Sequence, residues 1–130
     1  MESGVGFRQI AMTFDDPDML RWLESARAAD LDALDFGVIG IGPDGAVSHY
    51  NAWEVEAAGI SRDWAMGRDF FNEVGLCMNN FLVAQRFEDE PTLDAFVDYV
   101  LTFRMKPTRV TLRLLQHPDS PTRWILIRRV

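Results

Sequence analysis

A chain of 130 residues with a formal charge of −7 has the size of one domain. Its acidity argues against nucleic acid or an anionic membrane surface as partner, because both require a basic face. Hydrophobic residues make up 48% and charged residues 25%, which supplies apolar material for one globular core.

In chain order, residues 1–15 show weak periodicity and read as an irregular or short helical lead-in. Asp16-Pro17 reads as a helix start, with an N-cap carboxylate followed by proline where its missing N–H is harmless. Met19, Leu20, Leu23 and Ala26 then fall at helical spacing to about Ala29. Asp35 to Ile41 is apolar and β-branched and predicts a strand. Gly42-Pro43-Asp44-Gly45 is a turn and Ala46 to Tyr50 the returning strand, so the pair predicts a hairpin. Asn51 caps a short helix from Ala52 to Ala58, stopped by Gly59. Another helical turn is expected near Asp63 to Met66. A connecting helix is expected from Asn79 to Glu90, ended by Pro91.

The last third changes period. Phe96 to Met105, Thr108 to Gln116 and Arg123 to Val130 read as strands, with Val110, Leu112 and Leu114 alternating with Thr111 and Arg113. Lys106-Pro107 and Pro118-Asp119-Ser120-Pro121 supply the turns. The order predicts an α+β fold, an antiparallel β-sheet with its helices on one face and an N-terminal helical cap. One domain is expected, residues 1–30 forming the cap and 31–130 the core.

The chemistry available is sparse. One cysteine cannot close an internal disulfide and is too few for a thiolate metal cage. His49 and His117 lack ligand-like spacing, so no metal site is expected. No apolar run reaches the length of a membrane span, and Met1 to Gly6 lack the pattern of a signal peptide, so a cytoplasmic location is expected. By residue type alone, a lone cysteine such as Cys77 reads as a small buried hydrophobe. Glu54, four residues after Tyr50, reads as an exposed helix residue, since glutamate is rarely buried unpaired.

The element order is that of a PAS domain, and particular residues go further. The chain resembles the photoactive yellow protein family of blue-light receptors from about Leu31 to Val130. The resemblance rests on Leu31-Asp32-Ala33-Leu34-Asp35-Phe36-Gly37, on Tyr50-Asn51-Ala52 with Glu54, on Gly67 with Phe70-Phe71, Val74 and Cys77, and on Met105, Pro107-Thr108, Val110 and Trp124 to Val130.

The resemblance implies that Cys77 carries p-coumaric acid (a 4-hydroxycinnamyl group) as a covalent thioester. It implies that Tyr50 and Glu54 hydrogen-bond the phenolic oxygen, that Phe70 forms part of the pocket wall and that Met105 packs near the chromophore. Asn51 resembles the cap that ties this region to the N-terminal segment. Cys77 and the Tyr50–Glu54 couple would line opposite ends of one enclosed slot. An anionic phenolate in such a slot needs donors aimed at its oxygen, and a neutral, buried Glu54 would be one of them. Isomerisation, proton transfer from Glu54 and a loosening of the N-terminal segment would then signal to an unknown downstream signalling protein. The chain would be a monomer or weak dimer and not an enzyme.

Some positions depart from the family. A supporting threonine is replaced by Ala58, and the arginine over the phenolic end by Ile60, with Arg62 as a substitute nearby. Leu76 and Met78 flank the cysteine unusually, and Trp53 stands where a small residue is usual. These changes strip supporting contacts around the site and imply shifted colour and an altered recovery rate. The alternative reading is a non-photoactive PAS sensory or interaction domain that binds a non-covalent small ligand or a partner protein. A haem on His49 is disfavoured, because strand histidines are mostly structural.

Overall fold

The computed structural model describes residues 12–102 and 106–130. Helices α1 (Met19–Ser25) and α2 (Ala28–Asp32) precede a hairpin of β1 (Gly37–Ile41) and β2 (Val47–Tyr50). Helices α3 (Ala52–Ala58) and α4 (Arg62–Ala65) follow, then two tight helical turns over Phe70–Val74 and Leu76–Met78, and α5 (Ala84–Asp89). Strands β3 (Leu93–Leu101), β4 (Thr108–Gln116) and β5 (Arg123–Arg129) complete one sheet of order β2-β1-β5-β4-β3, antiparallel at every pairing.

The two-residue period of the strands sorts their side chains between two apolar layers. Ile39, Ile41, Leu112, Leu114, Ile125 and Ile127 face Ala65, Phe70, Val74, Met78 and Phe87. Val38, Leu115, Trp124 and Leu126 face Phe14, Met19, Leu23, Leu31 and Phe36. The connecting helices therefore cover one face, and the N-terminal helices cap the other. That is the expected α+β arrangement.

Asn51 and Arg113 fasten the layers together. Asn51 is buried, accepts from the backbone N–H groups of Val38 (2.9 Å) and Glu54 (3.2 Å), and donates to the carbonyls of Leu31 (2.9 Å) and Phe36 (3.0 Å). One amide thus starts α3 and ties it to the cap and to β1. Arg113 lies on the cap side of β4. Its guanidinium donates to the carbonyls of Phe14 (3.0 Å) and Asp16 (2.8 Å) and to both carboxylate oxygens of Asp94 (2.9 and 3.0 Å).

Several boundaries differ from expectation. The first helix starts at Met19 rather than just after Pro17, because the Asp16 carboxylate accepts from the Asp18 N–H (2.8 Å) and closes a tight turn first. It breaks at Ala26, whose backbone is extended, before α2. The connecting helix is confined to Ala84–Asp89, since the Asn80 side chain captures the N–H groups of Leu82 (3.0 Å) and Val83 (3.2 Å) and holds the preceding residues in turns. β3 begins at Leu93, three residues before the expected Phe96. Most of the lead-in and Met105 fall outside the described residues.

Candidate functional site

Cys77 sits in the short turn that returns the chain to the sheet. The Asp69 carboxylate accepts from the Asn72 N–H (3.0 Å) and opens the preceding turn. Phe70 is fully buried there, edge-on to Phe71 at 5.0 Å between ring centroids. Gly75 lies directly beneath the Phe70 ring, where any Cβ would collide with it. This is a packing requirement for glycine. Buried Val74 and Met78 anchor both sides of the cysteine.

The Cys77 thiol is free and partly buried at the margin of the main apolar cluster. Its backbone is clamped from β3: the Tyr99 hydroxyl donates to the Cys77 carbonyl, and the Asn80 amide donates to the same carbonyl (3.3 Å) and to the Tyr99 oxygen (2.6 Å). The sulfur is therefore carried on a fixed piece of backbone.

Tyr50 ends β2 and is buried in the same cluster as Phe70, with Cys77 packed at its edge. No other described residue hydrogen-bonds its hydroxyl. Glu54 lies one helical turn away on α3 and is fully buried, against the exposed position its residue type suggests. Its carboxylate is held by Arg129, whose two terminal nitrogens donate to Oε1 (2.9 Å) and Oε2 (3.1 Å). The carboxylate also rests against the backbone of Gly37 on β1, in space that a side chain there would fill. Tyr50 and Glu54 are thus neighbours, and the bonding partner of Glu54 is the arginine.

Burial pushes the Glu54 carboxyl above the ordinary carboxylate range, while the hydrogen bonds and charge of Arg129 pull it back. Burial also pushes the Tyr50 phenol well up, and the nearby Glu54 charge adds to that push more than Arg129 removes.

The remaining positions sort as follows. Ala58 is buried on α3 and Ile60 packs against the main cluster. Arg62 makes a two-pronged pair with Asp32 (2.8 and 3.2 Å). Leu76 and Trp53 are exposed, whereas Met78 is fully buried. His49 packs on Trp124 at 4.8 Å, on the cap side of the sheet and away from Cys77. A small cleft beside Tyr50 is walled by Leu31, His49, Asn51 and Arg62 among others, and its wall includes neither Cys77 nor Glu54. Cys77, Phe70 and Tyr50 meet through packed core rather than across that cleft. Among the described residues, no cluster of His, Cys, Asp and Glu could hold a metal ion, and no helix is long and apolar enough to cross a membrane.

Arg129 is the site residue that motif reasoning passed over. Its signal was present in the strand period. Ile125 and Ile127 face the Cys77 side, so Arg129 must face it too, while Arg128 turns to the cap and lies over the Phe14 ring at 4.5 Å.

An antiparallel five-stranded sheet with short helices on one face and a helical cap on the other defines a PAS domain, a class of sensory module. A PAS domain of an HTR-like protein from Haloarcula marismortui shares this fold, with a TM-score of 0.59 over 87% of the present chain and 98% of that one, at 15% identity. The photoactive yellow protein domain of the sensor histidine kinase Ppr from Rhodospirillum centenum is 33% identical, with a TM-score of 0.75, covering 83% of this chain and 97% of that chain. The photoactive yellow protein of Rhodothalassium salexigens is 28% identical over 120 residues, 90% of this chain and 96% of the relative. No protein-family model matches the sequence. The chain belongs to the photoactive yellow protein family of PAS-fold photoreceptors.

Proposed function

We propose that the chain is a photoreceptor carrying a p-coumaroyl group as a thioester on Cys77, with Phe70 and Met105 against the group and Tyr50 and Glu54 at its phenolic end. The observation that carries this reading is the pairing of a free, backbone-clamped Cys77 with a buried Tyr50 on one apolar cluster. The donor set fits such a group. The thiol is unpaired and the apolar wall is aromatic.

When bound, the group would supply light absorption and photoisomerisation. The chain's own residues would supply the rest. Cys77 fixes one end, Phe70 excludes water, and Tyr50 can donate at the other end. Glu54 can hold a proton on Oε1 or Oε2 only by giving up an Arg129 bond, so the proton transfer from Glu54 that the family resemblance implies is open to a Glu54 released from Arg129. A buried carboxylate that loses its partner is strongly destabilising, and that imbalance is what would drive the structural response. The output would pass to a downstream signalling protein in the cytoplasm, in line with a related domain that belongs to a sensor histidine kinase.

The test is incubation of the purified chain with p-coumaric anhydride, in which the sulfur displaces the carboxylate leaving group and the thiol proton departs with it. A single mass gain with a light-sensitive absorption band, lost in Cys77→Ala, is the expected result. A wild-type chain that stays unmodified overturns the reading and leaves a PAS domain with a non-covalent ligand or a protein partner.

A further inference from the structure

A cleft opens between α2 of the cap, β2 and α4, and the photoreceptor reading makes no use of it. We propose that this cleft is a second, non-covalent binding site, for an uncharged molecule the size of a single small ring that carries one hydroxyl group. The inference does not rest on the reading of Cys77, because neither Cys77 nor Glu54 belongs to this wall.

Size and shape come first. The cleft has a volume of about 80 Å³. A water-sized group needs roughly 10–15 Å³ of such space, so about five to eight heavy atoms fit. Ala28 and Leu31 from α2 and Met66 at the end of α4 give it apolar sides, which favour a hydrocarbon ring over water.

The polar side of the wall sets the charge of the occupant. The Arg62 guanidinium and the Asp32 carboxylate neutralise each other through two bonds, 2.8 and 3.2 Å, and Asp32 also accepts from the Ala52 N–H (2.8 Å). His49 is partly buried, and burial pushes its pKa below the ordinary value, so near neutral pH its ring is uncharged. An ion entering the cleft would give up its water and meet no net opposite charge.

Two nitrogens of the wall are left to receive a polar group. His49 is held on Trp124 at 4.8 Å between ring centroids, its Nδ1 lies over the backbone of Gly40, and Nδ1 meets the Ser48 hydroxyl at 2.8 Å. Nε2 makes no hydrogen bond to a described residue. Arg62 Nε is buried without a partner, although buried donors normally have one. A hydroxyl both donates and accepts. It therefore suits the Arg62 N–H and either tautomer of His49.

The test is a titration of the ligand-free full chain with cyclohexanol near neutral pH, read by nitrogen NMR on isotope-labelled histidine rings. The chain has two histidines, and His117, which lies beyond β4 and outside the cleft wall, is the internal reference. A saturable shift at His49 with His117 unmoved is expected. No shift at His49 up to the solubility of the alcohol overturns the proposal, and so does an equal shift at both rings.

Variants fix the place and the chemistry. Ala28→Leu fills the cleft from α2 and is expected to weaken binding about tenfold or more. Met66→Phe replaces it should circular dichroism show α2 disturbed. Unchanged affinity in a folded filling variant overturns the proposal. His49→Phe keeps a ring on Trp124 and removes its nitrogens. Binding followed at the Met66 methyl should then fall about two- to tenfold, the worth of one hydrogen bond, and an unchanged affinity overturns the role of the hydroxyl. Cyclohexylammonium and cyclohexanecarboxylate are expected to bind more weakly than the alcohol, and an ion that binds as tightly overturns the assignment of an uncharged ligand. A chain that takes no p-coumaroyl adduct overturns the photoreceptor reading and leaves these outcomes as they stand.

Discussion

The carboxylate of Glu54 occupies the space left by the missing side chain of Gly37. The two residues belong to different elements, α3 and β1, and the contact fixes where the buried acid can sit. Gly37→Ala therefore forces either the strand or the acid to move. The expected loss is about 1–3 kcal/mol of stability, the usual range for overpacking, with Arg129 displaced from Glu54. Urea unfolding gives the first quantity. A variant as stable as wild type would show that the acid has room to shift.

Asn51→Ala removes two acceptor and two donor contacts at once, to Val38, Glu54, Leu31 and Phe36. At about 1 kcal/mol net per hydrogen bond, the expected loss is roughly 2–4 kcal/mol. Asn51→Asp should recover the two acceptor contacts and lose the two donor ones. Equal stability of Asn51→Ala and Asn51→Asp would contradict this division.

Arg113→Met leaves the carbonyls of Phe14 and Asp16 without their donor. The cap should then open more easily than the sheet. Amide exchange over Met19–Ser25 is expected to quicken by about tenfold or more, since 1.4 kcal/mol is a factor of ten, while β4 and β5 keep their protection. Uniform acceleration across the chain would mean that Arg113 serves global stability rather than the cap.

Tyr99→Phe deletes the hydroxyl that holds the Cys77 carbonyl. A loss of about 1 kcal/mol in stability is expected. The reactivity of the Cys77 thiol toward a small alkylating reagent should also rise, because the turn is released from β3. Unchanged thiol kinetics would show that Asn80 alone holds the turn.

The pH dependence of stability follows from Glu54. Burial, the larger influence, raises its proton affinity above that of an unfolded glutamate with the ordinary value of 4.5. The native state then binds the proton more tightly than the unfolded state. Its contribution is fully present below about 4.5 and is lost as pH climbs through the raised value. The stability of wild type relative to Glu54→Gln should therefore fall with rising pH over that window, in urea midpoints measured from acid to neutral. The opposite slope would show that Arg129 outweighs burial.

The sequence by itself determined the architecture. Helical and two-residue periods, the Asn51 and Gly59 caps and the Gly42–Gly45 turn are local signals, and they specified α3 and β4 to the residue and the hairpin to within two residues. Cys77, Tyr50, Glu54 and Phe70 are site candidates by their spacing and family likeness, and the structure puts Cys77, Tyr50 and Phe70 on one apolar cluster. The connecting helix is shorter than apolar spacing predicts, because the Asn80 side chain competes for the N–H groups of Leu82 and Val83, and apolar spacing does not report such competition.

The partners of the charged groups were settled by tertiary structure alone. Arg62 pairs with Asp32, thirty positions away in the chain. Arg129 lies 75 positions from Glu54 and meets it because β5 runs beside β1 and its period aims that side chain inward. Local propensity acts over a few residues, whereas a buried carboxylate takes whichever cation the fold carries to it.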